Sequence, residues 1–146
     1  MRGLFIPLLL GLLLIPSSVY AHDDIGSYSI KEALDLEQSK EELGNDIKFF
    51  FGNQAHGKIL RNYGVVRTNK KTSAFGKSDL DACQWVFLSA MITLRDSALT
   101  EGANAVINIK SNYKNDLTSS EDTFQCGAGA FVAGVALVGT VVTLAE

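Results

Sequence analysis

The chain has 146 residues, with 13 Lys+Arg against 16 Asp+Glu and a formal net charge of −3. That length is one ordinary domain, and the mildly acidic balance excludes nucleic-acid binding driven by bulk charge. Two cysteines in all limit cross-linking to a single intramolecular bridge.

Met1-Arg2 brings a positive charge, Leu4 to Ile15 is almost unbroken hydrocarbon, and Val19-Tyr20-Ala21 leaves small residues where a signal peptidase reads. This is the pattern of a cleaved export signal, with an apolar stretch too short to stay as a span. Cleavage near Ala21 predicts one domain over residues 22–146, periplasmic or secreted, in an oxidising compartment. Its 125 residues carry a net charge of −4, because Arg2 is the one charge lost. A chain of that size buries roughly two-thirds of its unfolded surface without metals or many staples.

His22 to Gly26 is polar and reads as a frayed end. Ser29-Ile30-Lys31-Glu32 has the form of a capping box. Ile30, Ala33, Leu34 and Leu43 then predict a short amphipathic surface helix ending near Gly44. Ile47-Lys48-Phe49-Phe50-Phe51 predicts a strand, Gly52 to Gly57 a loop, and Lys58 to Thr68 a second strand with a bend or bulge at Asn62-Tyr63-Gly64. Asn69 to Lys77 is polar and basic and reads as a loop.

Ser78-Asp79-Leu80-Asp81 opens the clearest element, with a hydroxyl cap and two acids at the positive end of a helix dipole. Helical spacing holds through Cys83, Phe87, Ala90, Met91, Leu94 and Ala98, and Gly102 is the stop. Trp85 and Met91 at this spacing are expected in the core rather than in a ligand pocket. A tight turn at Ala103-Asn104 leads to a strand over Val106-Ile107-Asn108-Ile109. Asn112 to Thr123 follows as a hairpin loop, and Phe124-Gln125-Cys126 runs into a glycine-rich bend.

Gly127 to Ala145 is nineteen residues without a charge, close to the minimum for a membrane helix. Four glycines, five valines and the lack of flanking cations or aromatic belts favour a buried strand instead. No stable membrane span is expected. The fold class is therefore α+β, a small antiparallel or mixed sheet packed on one long helix, with an N-terminal amphipathic helix and one disulfide.

Cys83 and Cys126 form an even count in an oxidising compartment, which favours one structural bridge. A redox pair or half of a metal site is the alternative, but neither cysteine sits in a C-x-x-C motif.

Helix, Glu101-Gly102-Ala103-Asn104-Ala105-Val106, strand, and a cysteine entering Gly134-Val135-Ala136-Leu137-Val138-Gly139 together resemble the C-terminal domain of RcsF-like envelope-stress lipoproteins. The Gly-Ala-Asn-Ala-Val turn is also similar to that of the YbjQ family, associated with heavy-metal binding. Lys71-Thr72-Ser73-Ala74-Phe75 and Ala82 to Ala90 resemble small exported bacterial proteins named for an excinuclease subunit. No G-x-x-x-x-G-K-[ST] loop is present to support such a repair activity. The RcsF likeness covers Ser78 to Leu144 and implies that Cys83 and Cys126 are close in space. RcsF-like proteins carry a lipidated cysteine and two disulfides, whereas this chain has cysteines for one.

From Ile47 to Ser78 there are seven basic residues and no acid, while His22 to Asp46 holds eight acids. A solvated strand-loop-strand surface that balances those acids is the favoured reading; the alternative makes Lys58, Arg61, Arg67, Lys70, Lys71 and Lys77 contacts to an envelope protein or an anionic envelope component. No aromatic residues interleave them as a nucleic-acid platform requires. Enzymatic motifs are absent: no G-x-S-x-G, no H-E-x-x-H, no catalytic cysteine signature, and Ser119-Ser120-Glu121-Asp122 is a hydrophilic loop. A non-enzymatic interaction or envelope-stress module without cofactor is expected. The alternative is a small-ligand or metal-binding exported protein using His22, beside Asp23-Asp24, and His56.

Overall fold

The structure, a computed structural model, describes residues 23–146; the signal-peptide reading and His22 lie outside them. Among the described residues the fold is α+β, with seven strands in one curled mixed sheet and one long helix. The strands are β1 (Asp23–Ser29), β2 (Lys48–Phe51), β3 (Ile59–Ser73), β4 (Ala105–Tyr113), β5 (Asp116–Thr118), β6 (Thr123–Gly129) and β7 (Val132–Leu144). The helices are α1 (Ile30–Asp35), α2 (Glu37–Leu43) and α3 (Asp79–Glu101).

β7 is the centre. It pairs antiparallel with β3 along its whole length, and its other edge is shared by β4 at Leu137–Val142 and β6 at Ala133–Gly134. β2 joins β4 in parallel and β1 joins β6. The apolar run is therefore strand, not span, and no helix among the described residues is long and apolar enough to cross a membrane. Alternation along β7 sends Ala133, Val135, Leu137 and Val141 toward α3 and Ala136, Val138, Val142 and Leu144 to the opposite face.

α3 forms where its local signals lie. Ser78 Oγ accepts from the Asp81 N–H at 3.1 Å, and Gly102, at φ 69°, closes the helix with its N–H directed to Ala98 and Leu99 carbonyls. The stripe Cys83, Val86, Phe87, Ala90, Met91, Leu94, Ala98 is buried. Trp85 departs from expectation: it is 46% exposed, and Lys77 Nζ lies 5.8 Å from its ring centre. Cys83 and Cys126 are bonded, Cα–Cα 5.9 Å, with both side chains fully buried. Phe87 stacks on Phe124 beside this bridge at 4.0 Å between ring centres.

The turn after α3 explains the Gly-Ala-Asn-Ala-Val sequence physically. The Asn104 side chain donates to Leu144 O at 2.9 Å and accepts from Leu144 N–H at 2.7 Å, as a neighbouring strand would. It clamps the end of β7 to the start of β4.

The N-terminal helix divides in two. Ser29 caps α1 as expected, but Leu36 is extended and α2 begins anew. At about 100° per residue, one straight helix would set Ser39 roughly 180° and Leu43 roughly 140° round from Ile30. The break lets these three and Ala33 be buried, and Ser39 Oγ donates to Ala33 O across it at 2.7 Å.

Three further expectations are corrected. Asp23–Gly26 is not frayed: it is strand, in register with Cys126–Gly129. Asn69–Ser73 is not loop, because β7 continues alongside and pairs every residue to Val132. Gly127–Gly129 is strand rather than a bend, and the reversal comes at Ala130-Phe131. The bend at Asn62-Tyr63-Gly64 is present as a bulge, with Gly64 at φ 105° and its N–H on Asn62 Oδ1.

Removing the bridge (Cys83→Ala with Cys126→Ala) is expected to cost up to about 4 kcal/mol for a loop of this length, measured by urea unfolding. Asn104→Ala leaves the Leu144 N–H without its acceptor and is expected to cost about 2 kcal/mol. The same unfolding assay reads it.

Candidate functional site

The six basic residues singled out in the sequence do not form one patch. β3 is about 50 Å long at the usual strand rise, and alternation divides its cations between two faces. Lys58 lies at one end, its carbonyl holding the Ala145 N–H at 2.8 Å. Arg61 is opposite Thr143, with its guanidinium 4.9 Å from the Tyr63 ring centre. Lys70 is opposite Val135, on the α3 side, and Lys77 sits over Trp85. Arg67 and Lys71 belong to the other face, opposite Val138 and Gly134.

That face carries no helix, and register brings two further cations to it. Val138 is flanked by Arg67 of β3 on one side and Lys110 of β4 on the other, so the two Cα atoms stand roughly 10 Å apart. Lys114 follows in the β4–β5 turn, with its ammonium 5.7 Å from the Tyr113 ring centre. Lys114 and Asn115 both have positive φ, 52° and 61°, the two-residue hairpin geometry that asparagine tolerates well. Arg67, Lys71 and Lys110 make no ion pair among the described residues. The exposed acid of the hairpin is Asp116, opposite Tyr113.

A hollow of about 300 Å³ opens here, walled by Arg67, Asn69, Asn112, Lys114 and Asn115 over Ala136. Two cations and three carboxamides can hold an anionic group together with neutral hydroxyls or carbonyls. Lys110 and Lys114 carried no signal in the sequence, since they lie far along the chain from Arg67. Only the pairing of β4 with β7 reveals them.

Tyr113 lays a ring on this face, and glycine makes room for it. A Cβ on Gly127 would fall 2.1 Å from Tyr113 Oη, and one on Gly134 would meet its ring at 3.1 Å. Gly127, read in the sequence as part of a bend, and Gly134 are thus the floor beneath an aromatic ring.

A groove of about 390 Å³ between α3 and β3 is lined by Tyr63, Thr93, Asp96, Ser97 and Thr100. Its three aliphatic hydroxyls all donate to helix carbonyls four residues back, and Tyr63 Oη is 3.3 Å from Thr143 Oγ1. His56 sits in the β2–β3 loop, its Nδ1 2.8 Å from Gly57 O and its ring edge-on to Phe50. Among the described residues no three His, Cys, Asp or Glu are gathered as metal ligands.

No family model, curated protein or solved structure matches this chain.

Gly127→Ala is expected to cost about 1–3 kcal/mol because the Tyr113 ring must leave its place. Adding Tyr113→Ala removes the clash, so the double variant should lose less than the two single losses added together. Thermal unfolding of the three variants measures this coupling.

Proposed function

We propose that the protein is a non-enzymatic exported binding module that meets an anionic component of the cell envelope on the basic open face of its sheet. The observation that carries this reading is the placement of Arg67 and Lys110 on either side of Val138, with Lys71 and Lys114 nearby, on a face no helix covers. Cations held on strands at fixed spacing suit a repeating anionic polymer better than a single small ion. The amides of Asn69, Asn112 and Asn115 add hydrogen-bonding capacity for the hydroxyls such a polymer carries.

Export follows from the leader pattern of residues 1–21. The buried Cys83–Cys126 bridge suits an oxidising compartment. The RcsF-like order of elements over Ser78–Leu144 points the same way, toward the envelope. The binding rather than catalytic reading draws on the amides and cations that line the open face.

The test is affinity for a soluble acidic polysaccharide, polygalacturonate, with dextran as the neutral control. Tight, salt-sensitive binding to the acidic polymer alone is expected. Arg67→Glu and Lys71→Glu should each weaken it about tenfold, whereas Lys70→Glu, on the other face, should change it less than threefold. Equal effects at Lys70 and Lys71, or equal binding to dextran, overturn the proposal.

A further inference from the structure

At one end of the sheet the protein holds two phenylalanine rings in solvent. Phe75, in the β3–α3 connection, is 74% exposed, and Phe131, in the β6–β7 turn, is 69% exposed. Their rings are stacked within 4° of parallel, 6.3 Å between centres. Val132 beside them is 50% exposed. The pair is held by the backbone beneath it. Ala74 N–H donates to Phe131 O at 2.8 Å, Lys77 N–H donates to Ala74 O at 3.1 Å, and Ala74 itself is buried. Gly76, at φ 73°, makes the turn that lifts Phe75 outward.

We propose that this tip enters the interfacial layer of an anionic phospholipid bilayer, seating Phe75, Phe131 and Val132 among the upper acyl chains. Two observations choose a bilayer. Two lysines flank the prong: Lys77 follows Phe75 by two residues, and Lys71 lies two residues before Ser73, the partner of Val132. Their long stems can lie along the apolar tip while the ammonium groups reach lipid phosphates. The tip is also too small for a protein interface of its own. Two rings and a valine at these exposures present on the order of 350 Å², against roughly 800 Å² per partner in a stable complex. A bilayer needs no matching surface, only a rigid apolar prong with cations beside it.

On the β1 edge Asp24 is in register with Ala128, three residues before Phe131. The acids of the neighbouring helix turn are Asp79 and Asp81; the charge of Asp79 acts on Tyr28, on the β1 side of the helix.

This inference shares Lys71 with the polysaccharide reading, and the Phe75 and Phe131 variants test it apart. The exported protein is mixed with vesicles of phosphatidylglycerol and phosphatidylcholine (1:1), or of phosphatidylcholine alone, and the bound fraction is read by sedimentation. Phe75→Ser with Phe131→Ser should reduce partition into the anionic vesicles at least tenfold, with thermal unfolding and polygalacturonate binding unchanged. Lys71→Glu with Lys77→Glu should remove the preference for phosphatidylglycerol. In a Trp85→Phe background, Phe131→Trp should shift its emission to the blue on anionic vesicles and be quenched by brominated acyl chains. Wild-type partition by the double serine variant overturns the proposal, as does emission from the Phe131→Trp protein that vesicles leave unchanged. Concentration-dependent self-association in the absence of lipid, abolished by the serine variant, also overturns it by assigning the tip to a second copy. Stoichiometric binding of a protein at the tip, without vesicle partition, overturns it in favour of a protein partner.

Discussion

β7 is bonded along both edges and apolar on both faces, and the other elements are placed by that double demand. A strand with Ala, Val and Leu on successive positions cannot leave either side in water without cost. α3 covers one side with its Cys83–Ala98 stripe, and the curl of the sheet, with Phe50, narrows the other over Ala105, Ile107, Val142 and Leu144. Gly139 shows how close the fit is: a Cβ there would stand 2.7 Å from Val106 Cγ1. The disulfide then fixes α3 to β6, so that helix and sheet cannot slide apart without breaking a covalent link.

Local chemistry was legible where the physics is local. Ser78, Gly102 and the apolar spacing between them announce α3 because caps and periodicity act within a few residues. The strands missed in the sequence are those whose signals lie elsewhere in the chain. Asn69-Lys70-Lys71-Thr72-Ser73 has the composition of a loop, yet β7 lies alongside with open hydrogen-bonding groups, and pairing overrides propensity. Asp23–Ser29 is ordered by β6 in the same way. The open face was half legible. Arg67 and Lys71 stood out by charge, while Lys110 and Lys114 became neighbours only through register, which composition does not encode.

Net charge conceals the arrangement that matters. Exposed acids crowd α1 and α2 (Glu32, Asp35, Glu37, Glu41, Glu42), which pack on the α3 side, while the middle of the open face carries Arg67, Lys71 and Lys110. A chain of charge −3 therefore has cations gathered on one face of its sheet and acids on the helices behind the other. Such separation orients approach before any contact forms, and screening by salt weakens it.

β3 has three surfaces to offer, and its sequence closes one. Among the described residues it pairs only with β7, so its outer edge carries free backbone groups. An edge of that length is a hazard for strand-to-strand association. Here it is interrupted by irregular register between Ile59 and Arg61 and between Asn62 and Gly64, and it is rich in Arg and Lys. A second copy aligning antiparallel along this edge would set like charges against one another. The same cations that oppose edge pairing are the ones alternation delivers to the open face and to the aromatic tip. β3 is thus built to resist its own kind along the edge while keeping its face and its end available, a division that a simple hydrophilic loop at Asn69–Lys77 could not have produced.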